Sequence, residues 1–343
     1  MNKLKEELMV SICCSAYNHE KYIKEALNGF VMQKTNFSFE IVINDDASTD
    51  KTANIIKEDE KEHPNLFNAK YQQENQYSKG IKPFYNILYP ASKGKYIALC
   101  EGDDYWTDPY KLQNQVDFLE ANPEYIITCH SVIYYDDSKN KSMGERNLPT
   151  KELGDISQAD LKKGINLRTP SVLFRAEAVK NRPLGLNKAP GGDTALFSYL
   201  GCVGKGKYIE GIKPAVYRIH NGGIFSGLEY VKKQVHLITT SLVLYNYYER
   251  LSDKEITDFF YDKIMKRIDN LVKNKYRCNK DDFTSGLTVL LKNMHDILEN
   301  NEIIYGFNEK YVNPMYSLKD RCKKAKYLIK KILTLPRHFR VYR

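Results

Sequence analysis

Three carboxyl side chains stand within four residues at Glu101-Gly102-Asp103-Asp104, and an earlier acidic group runs Asn44-Asp45-Asp46-Ala47-Ser48-Thr49-Asp50. Carboxylates this close repel one another in a partly dry crevice unless a cation neutralises them, and hard oxygen ligands suit Mg²⁺ or Mn²⁺. A divalent metal carrying a phosphate ligand is the natural occupant. Each group also has a plainer reading as turn chemistry: Ser48 or Thr49 as the cap of a following helix, and Glu101 to Asp104 as a solvated turn. What favours a site is that both groups directly follow apolar runs, and that the chain's only tryptophan, Trp106, is attached to one of them.

The apolar runs are the elements that must position these acids. Val10–Cys14, Phe39–Ile43, a weaker stretch at Asn68–Gln72, and Tyr96–Cys100 read as strands; 19–32, 51–62 and 82–92 carry apolar residues at helical spacing. Regular alternation of strand and helix predicts an α/β fold with a mostly parallel sheet flanked by helices. Ligands of such sheets bind outside the carboxyl ends of the strands. Those ends are Ser15-Ala16-Tyr17-Asn18 and the two acidic groups, so all three converge on one edge. Further along, the pattern gives a helix at Pro109–Ala121, a long β-rich run at Tyr125–Tyr135, and a polar loop with a short helix over 136–166. Strands follow at Pro170–Phe174 and Ala215–Ile219. From about Glu229 the texture changes to long helices at 229–250, 253–275, 281–300 and 317–333, which sets a boundary near 228 between a catalytic domain, 1–228, and a helical C-terminal region, 229–343. Gly201–Lys207 has the spacing of a phosphate-binding loop, but Tyr208 stands where a Ser or Thr belongs and no strand leads into it, so it reads as a Gly-rich turn.

Composition narrows the function. With 343 residues, 42% hydrophobic and 28% charged, the chain is of ordinary globular make-up. Seven cysteines without a Cys-x-x-Cys pair read as reduced core thiols, and with no apolar run long enough to span a bilayer the expected location is the cytoplasm. The net charge of +9 suggests nucleic acid until it is located: residues 317–343 hold ten Lys/Arg against one acid, leaving 42 basic and 42 acidic residues in the first 316. A neutral body offers no groove-sized basic face, so no nucleic-acid partner is expected. A nicotinamide dehydrogenase is disfavoured by the lack of G-x-G-x-x-G after the first strand.

Val10–Asn18, Glu40–Asp50 and Gly94–Asp104 together resemble the family 2 glycosyltransferases of glycosyltransferase-A fold, over residues 8–122 and more loosely 169–223. The resemblance implies an inverting, metal-dependent enzyme using Mn²⁺ or Mg²⁺ that moves a sugar from a UDP-sugar to a glycan or polyprenyl-linked acceptor in surface-polysaccharide assembly. A non-catalytic glycan- or nucleotide-binding protein of the same fold is the alternative, which the intact acids argue against. The resemblance sets Ala16, Tyr17 and Asn18 beside the donor base and ribose. One acid of the Asp45-Asp46 pair, Asp45 ahead of Asp46, would accept the uracil imide N–H. Glu101-Gly102-Asp103 occupies the Asp-x-Asp position, with Asp103 as metal ligand, Asp104 near the donor sugar and Trp106 on the donor side; Glu101 departs from the usual Asp, and Ala47 from a common Gly. Asp193, after Gly191-Gly192, is implied as general base ahead of a simple helix cap. Arg218 and His220 would approach the diphosphate, His220 as metal or phosphate contact or equally as a structural histidine. Lys79 and Asn75 have weaker claims on the donor side.

In the tail, Leu318, Cys322, Ala325, Ile329 and Ile332 share one helical face, and Lys319, Arg321, Lys323, Lys326 and Lys330 occupy the rest. That pattern suits a helix lying in a membrane interface at the cytoplasmic face; a helix packed on protein, or in a homodimer contact, is the other reading. Each basic residue near an anionic leaflet contributes about 1 kcal/mol. Deletion of 317–343 is therefore expected to release the protein from anionic liposomes in a flotation assay, and equal flotation of the truncated and full-length chains would refute the membrane reading.

Overall fold

Val10 and residues Ile12 to Cys14 are fully buried, as is the intervening Ser11, which a strand covered on both faces requires. This strand, β1 (Leu8–Ala16), belongs to a computed structural model that describes residues 8–146, 154–274 and 280–298; the basic tail at 317–343 lies outside them. After β1 come α1 (Ile23–Val31), β2 (Ser38–Asp45), α2 (Thr52–Glu62), β3 (Phe67–Tyr71), a π-helical turn at Phe84–Leu88 running into the short α3 (Tyr89–Ala91), and β4 (Tyr96–Leu99). α1 buries Ile23, Ala26, Leu27 and Phe30, the i, i+3, i+4, i+7 stripe of a helix laid on a sheet.

The chain continues with α4 (Lys111–Ala121), β5 (Tyr125–Cys129), β6 (Val132–Asp136), β7 (Lys141–Arg146), β8 (Asp155–Ile156), α5 (Gln158–Lys162), β9 (Leu173–Arg175), α6 (Glu177–Lys180), α7 (Gly192–Leu200), β10 (Lys205–Tyr208) and β11 (Ala215–Ile219). The main sheet has the order β3-β2-β1-β4-β9-β5-β10-β8, and a second sheet the order β11-β6-β7. β3, β2, β1 and β4 pair in parallel, whereas β9 inserts antiparallel between β4 and β5. The β-rich run expected at 125–135 is two strands in two sheets, because its backbone changes partners midway: Cys129 accepts from Ile209 beyond β10, and Ser131 from Ala215 at the start of β11. β7, read as loop from its polar composition, is a strand paired with β6.

The described chain forms two compact units. The first comprises residues up to 161, 165–181 and 199–223, and holds both sheets. The second comprises 162–164, 182–198 and everything from 224, with α8 (Tyr230–Arg250), α9 (Lys254–Lys273) and α10 (Lys280–Leu298). The division thus departs from one cut near 228. Two short upstream segments join the helices because Gly191 donates its N–H to Thr240, at 2.9 Å, and Ser198 bonds to Tyr248. Among the described residues no helix is long and apolar enough to cross a membrane.

One buried charge stands out in the first unit. Lys111 is wholly buried, its amine 2.7 Å from Gln115 Oε1 and 4.2 Å from the Trp106 ring centroid. Burial pushes the amine down to about 7, against a smaller upward pull from Cys100 and Cys129. An unfolded lysine keeps its proton up to about 10.5, so the cost this group imposes on folding is full below about 7 and falls away progressively as pH rises from about 7 to 10.5. Lys111→Met is expected to flatten that rise when urea-unfolding free energies of variant and parent are compared across the interval; parallel curves would place the amine in a solvated setting.

Candidate functional site

The three strand ends are joined by backbone bonds that continue past the strands themselves. Cys100 donates to Cys13, Gly102 to Ser15 at 3.0 Å, and Asp46 to Ala16 at 2.9 Å, so the chain at 16, 45 and 102 forms one continuous rim. Ala16 is buried and lies in register with Asp45. Gly102 is fixed by the same closeness: a Cβ there would fall 2.9 Å from Ile23, 3.0 Å from the His19 ring and 3.1 Å from Ala16. Its place is thus one of close packing, which only Gly meets without displacing His19.

At the second strand end the two acids take different parts. Asp46 is buried and accepts backbone N–H groups from Gln76, at 2.9 Å, and Tyr77, at 3.0 Å. Its carboxylate is occupied in folding the 3₁₀ turn Tyr77–Lys79, so the assignment of Asp46 to the donor is corrected. Asp45 is 3% exposed; among the described residues its Oδ2 takes a long 3.3 Å bond from Ser48, while Oδ1 is buried without a hydrogen-bond partner. A buried carboxylate oxygen left unpaired is costly, and a ligand N–H would remove that cost. Lys79 is ion-paired with Glu74, and Asn75 is bonded to Ser78, so neither is presented to a ligand by these contacts.

Asn18 and Ala47 both hold positive φ, 54° and 60°. The conformation at 47 supplies the physical reason for a Gly there, and in this chain an Ala bears the strain. The two loops lock together: Asn18 N–H donates to Ser48 Oγ at 2.9 Å, and Asn18 Oδ1 accepts from Thr49 N–H at 2.8 Å. Ser48 and Thr49 are engaged with the other loop rather than capping α2, whose first turn is served by Asp50 through Thr52. Tyr17 is 43% exposed beside this lock and free to lie against a planar ligand.

The acid trio is balanced by three separate devices. Glu101 accepts the Thr169 hydroxyl at 2.5 Å. Asp103 bonds His220 Nε2 through Oδ2 at 3.0 Å, with His19 Nε2 at 3.9 Å from the same oxygen. Burial opposes ionisation of Asp103, but the His220 bond and the two imidazoles outweigh it and lower its pKa. Asp104 is buried, and burial together with Asp103 and Glu101 drives its pKa well above the usual carboxylate range. Its Oδ1 accepts the Arg218 backbone N–H at 2.8 Å. Asp104 therefore serves as a buried anchor for β11, a correction to its placement near the donor sugar.

Two imidazoles thus face one oxygen of Asp103, and burial holds that of His19 below the usual imidazole range. Among the described residues no group of three His, Cys, Asp or Glu side chains is placed to hold a metal ion, so a divalent cation on Asp103 would depend on oxygen ligands brought by a phosphate-bearing ligand. Asp103 keeps 18% of its side chain exposed, enough to meet such a ligand.

Two further expectations are corrected. Trp106 is core: 2% exposed, its indole N–H donated to Pro170 at 2.8 Å and its ring 5.0 Å from Phe30. Arg218 does not present a free guanidinium. It pairs with Glu25, donates to the Asp103 carbonyl at 2.7 Å and stacks near Tyr22 and Tyr105. Asp193 lies in the second unit, exposed in the first turn of α7, accepting the Thr194 N–H at 2.7 Å. Sequence reasoning missed His19, Glu25 and Thr169. His19 carried a signal, since it directly follows the loop after β1; the other two are brought in from a helix face and a distant turn.

Residues 11–180 match the family model described as Glycosyl transferase family 2. An uncharacterized protein of Mycobacterium tuberculosis is 41% identical over 170 residues, 49% of this chain and 47% of that protein. The UDP-Glc:alpha-D-GlcNAc-diphosphoundecaprenol beta-1,3-glucosyltransferase of Escherichia coli is 29% identical over 173 residues, 50% of this chain and 63% of that enzyme. The match thus spans about half the length of the first of these relatives. Among solved structures, Staphylococcus aureus TarS 1–349 in complex with UDP-GlcNAc superimposes with a TM-score of 0.59 at 16% identity, covering 84% of this chain and 82% of that one. The fold is glycosyltransferase-A.

The split between the two acids of β2 is open to measurement. Asp46→Ala should lower unfolding free energy by about 1–3 kcal/mol, because two buried N–H groups lose their acceptor. Asp45→Ala should leave it unchanged or raise it, because an unpaired oxygen is removed. Equal losses in urea titrations would show Asp45 to be as structural as Asp46.

Proposed function

The chain belongs to glycosyl transferase family 2 through residues 11–180, and from that premise we propose that it transfers a sugar from a UDP-sugar to a glycan or polyprenyl-linked acceptor in surface-polysaccharide assembly, with inversion at the anomeric carbon. The observation that carries the donor assignment is the buried, unpartnered Oδ1 of Asp45. A uracil imide N–H is a single donor able to satisfy it, and the exposed ring of Tyr17 at the neighbouring strand end offers a face for the base. The E. coli relative is by name a UDP-glucose enzyme with a diphosphoundecaprenol-linked acceptor, which supports the same donor and acceptor classes here. The basic tail, outside the described residues, would bring the enzyme to the membrane face where a lipid-linked acceptor resides.

Asp103, with His220 bonded to it, is the residue proposed to hold Mn²⁺ or Mg²⁺ together with the diphosphate of the donor. When bound, such an ion acts as a Lewis acid on the diphosphate. The remaining work falls to side chains. The acceptor hydroxyl oxygen forms its bond to the anomeric carbon as the bond to the diphosphate oxygen breaks, and the electron pair of that bond leaves with UDP. The hydroxyl proton passes to the proposed base, Asp193. One displacement by one nucleophile inverts configuration, so an α-linked donor gives a β-linked product.

UDP release from a panel of UDP-sugars with Mn²⁺ tests the reading. Asp45→Ala should weaken UDP binding by about 1–3 kcal/mol, while Asp103→Asn and Asp193→Asn should each abolish transfer, the latter with donor binding kept. Full activity in excess EDTA, or an α-linked product by NMR, would contradict the mechanism.

A further inference from the structure

Arg168 sits immediately before Thr169, the residue bonded to Glu101 of the acid trio. Its guanidinium carbon lies 5.2 Å from the Tyr134 ring centroid and 5.1 Å from that of Tyr217. The two rings are 5.3 Å apart and tilted by 50°, so the guanidinium rests over the notch between them. Nε is committed to the Tyr134 hydroxyl. Among the described residues the guanidinium's contacts are the two rings and this hydroxyl, and none of the ion pairs includes it.

The two other arginines of this unit with defined roles behave differently. Arg218 is neutralised by Glu25. Arg175 uses its nitrogens on the carbonyls of Tyr125, Leu119 and Asn122 and on the Tyr96 hydroxyl. Among the described residues, Arg168 has its stem braced by the two tyrosines and no partner on its terminal fork. A half-buried cation is tolerable because two π faces compensate it, yet nothing in the fold requires the fork to stay open. On a rim crowded with carboxyl groups, an anionic ligand can be held only where a cation faces it. A planar fork in fixed orientation matches the two oxygens of a phosphate.

We propose that Arg168, braced by Tyr134 and Tyr217, binds a phosphate ester carried by the acceptor. The assignment rests on the sugar-transfer reading above and adds the acceptor's charge to it. The phosphate can belong to the diphosphate that joins a sugar to a lipid, or to a phosphodiester within a polymer; the chemistry recognised is the same.

The test is calorimetric titration of the full chain, saturated with UDP and Mn²⁺, with P1,P2-dimethyl diphosphate, glycerophosphoglycerol and methyl glucoside. The parent protein should bind at least one phosphate probe about tenfold more tightly than methyl glucoside. Arg168→Gln should remove that advantage, Arg168→Lys should restore part of it, and Tyr134→Phe should weaken it several-fold by freeing the guanidinium from its brace. A preference for the diphosphate identifies the lipid-linked source and a preference for the monophosphate diester the polymer. Equal binding of the phosphate probes by parent and Arg168→Gln, or no preference over methyl glucoside in the parent, would overturn the proposal. Loss of UDP itself in a folded Arg168→Gln would reassign the residue to the donor and overturn it likewise. Failure of the parent to bind UDP would instead remove the sugar-transfer reading on which it rests.

Discussion

Three carboxyl groups within four residues at the end of a buried strand cannot all be ionised without compensation, and much of the first unit is arranged around that constraint. Asp103 remains charged because two imidazoles face one of its oxygens. Asp104, fully enclosed, is driven toward its neutral form by burial and by its neighbours. Glu101 is met by a hydroxyl from another segment. The three solutions separate the roles: one carboxylate is left ionised and reachable, one becomes an anchor for β11, and one ties the rim to the turn that leads into β9. The interactions are coupled through a shared backbone. Arg218 donates its N–H to Asp104 and its side chain to the carbonyl of Asp103, so the second sheet is positioned by the acids it helps to shield.

The same unit shows how a polar edge is braced from behind. Trp106 and Gln115 both bond carbonyls of the Thr169–Ser171 turn, at Pro170 and Ser171, and Lys111 sits against Trp106 and bonds Gln115. The turn carries Thr169 to Glu101 and Arg168 to its tyrosine notch. A buried lysine contributes little to stability in such a place. Its geometric effect is to hold an amide and an indole in the orientations that fix the turn.

The sheet's central strands were legible because burial on both faces leaves continuous apolar runs, as at Val10–Cys14 and Tyr96–Cys100, and polar residues directly after them mark the ligand edge. The antiparallel insertion of β9 was not, since the short apolar run Val172–Phe174 has no direction until its partners are known. β7 was hidden for a related reason: Lys141–Arg146 is polar and earns its strand only by pairing with β6. In the site, residue type located the acids but not their duties. Asp45 and Asp46 are adjacent and chemically identical, and only the folded positions of the Gln76 and Tyr77 N–H groups separate them. Trp106 and Arg218 misled because a lone tryptophan and an arginine next to a motif suit a ligand as well as they suit a core.

The account turns on which oxygen at this edge awaits a ligand. A crystal structure of the chain with UDP and Mn²⁺ would locate the uracil ring and the metal in one measurement. It should place the uracil N3 within hydrogen-bond distance of Asp45 Oδ1, with the metal on Asp103 and the diphosphate. A base bound away from Asp45, with Oδ1 still unpartnered, would contradict it.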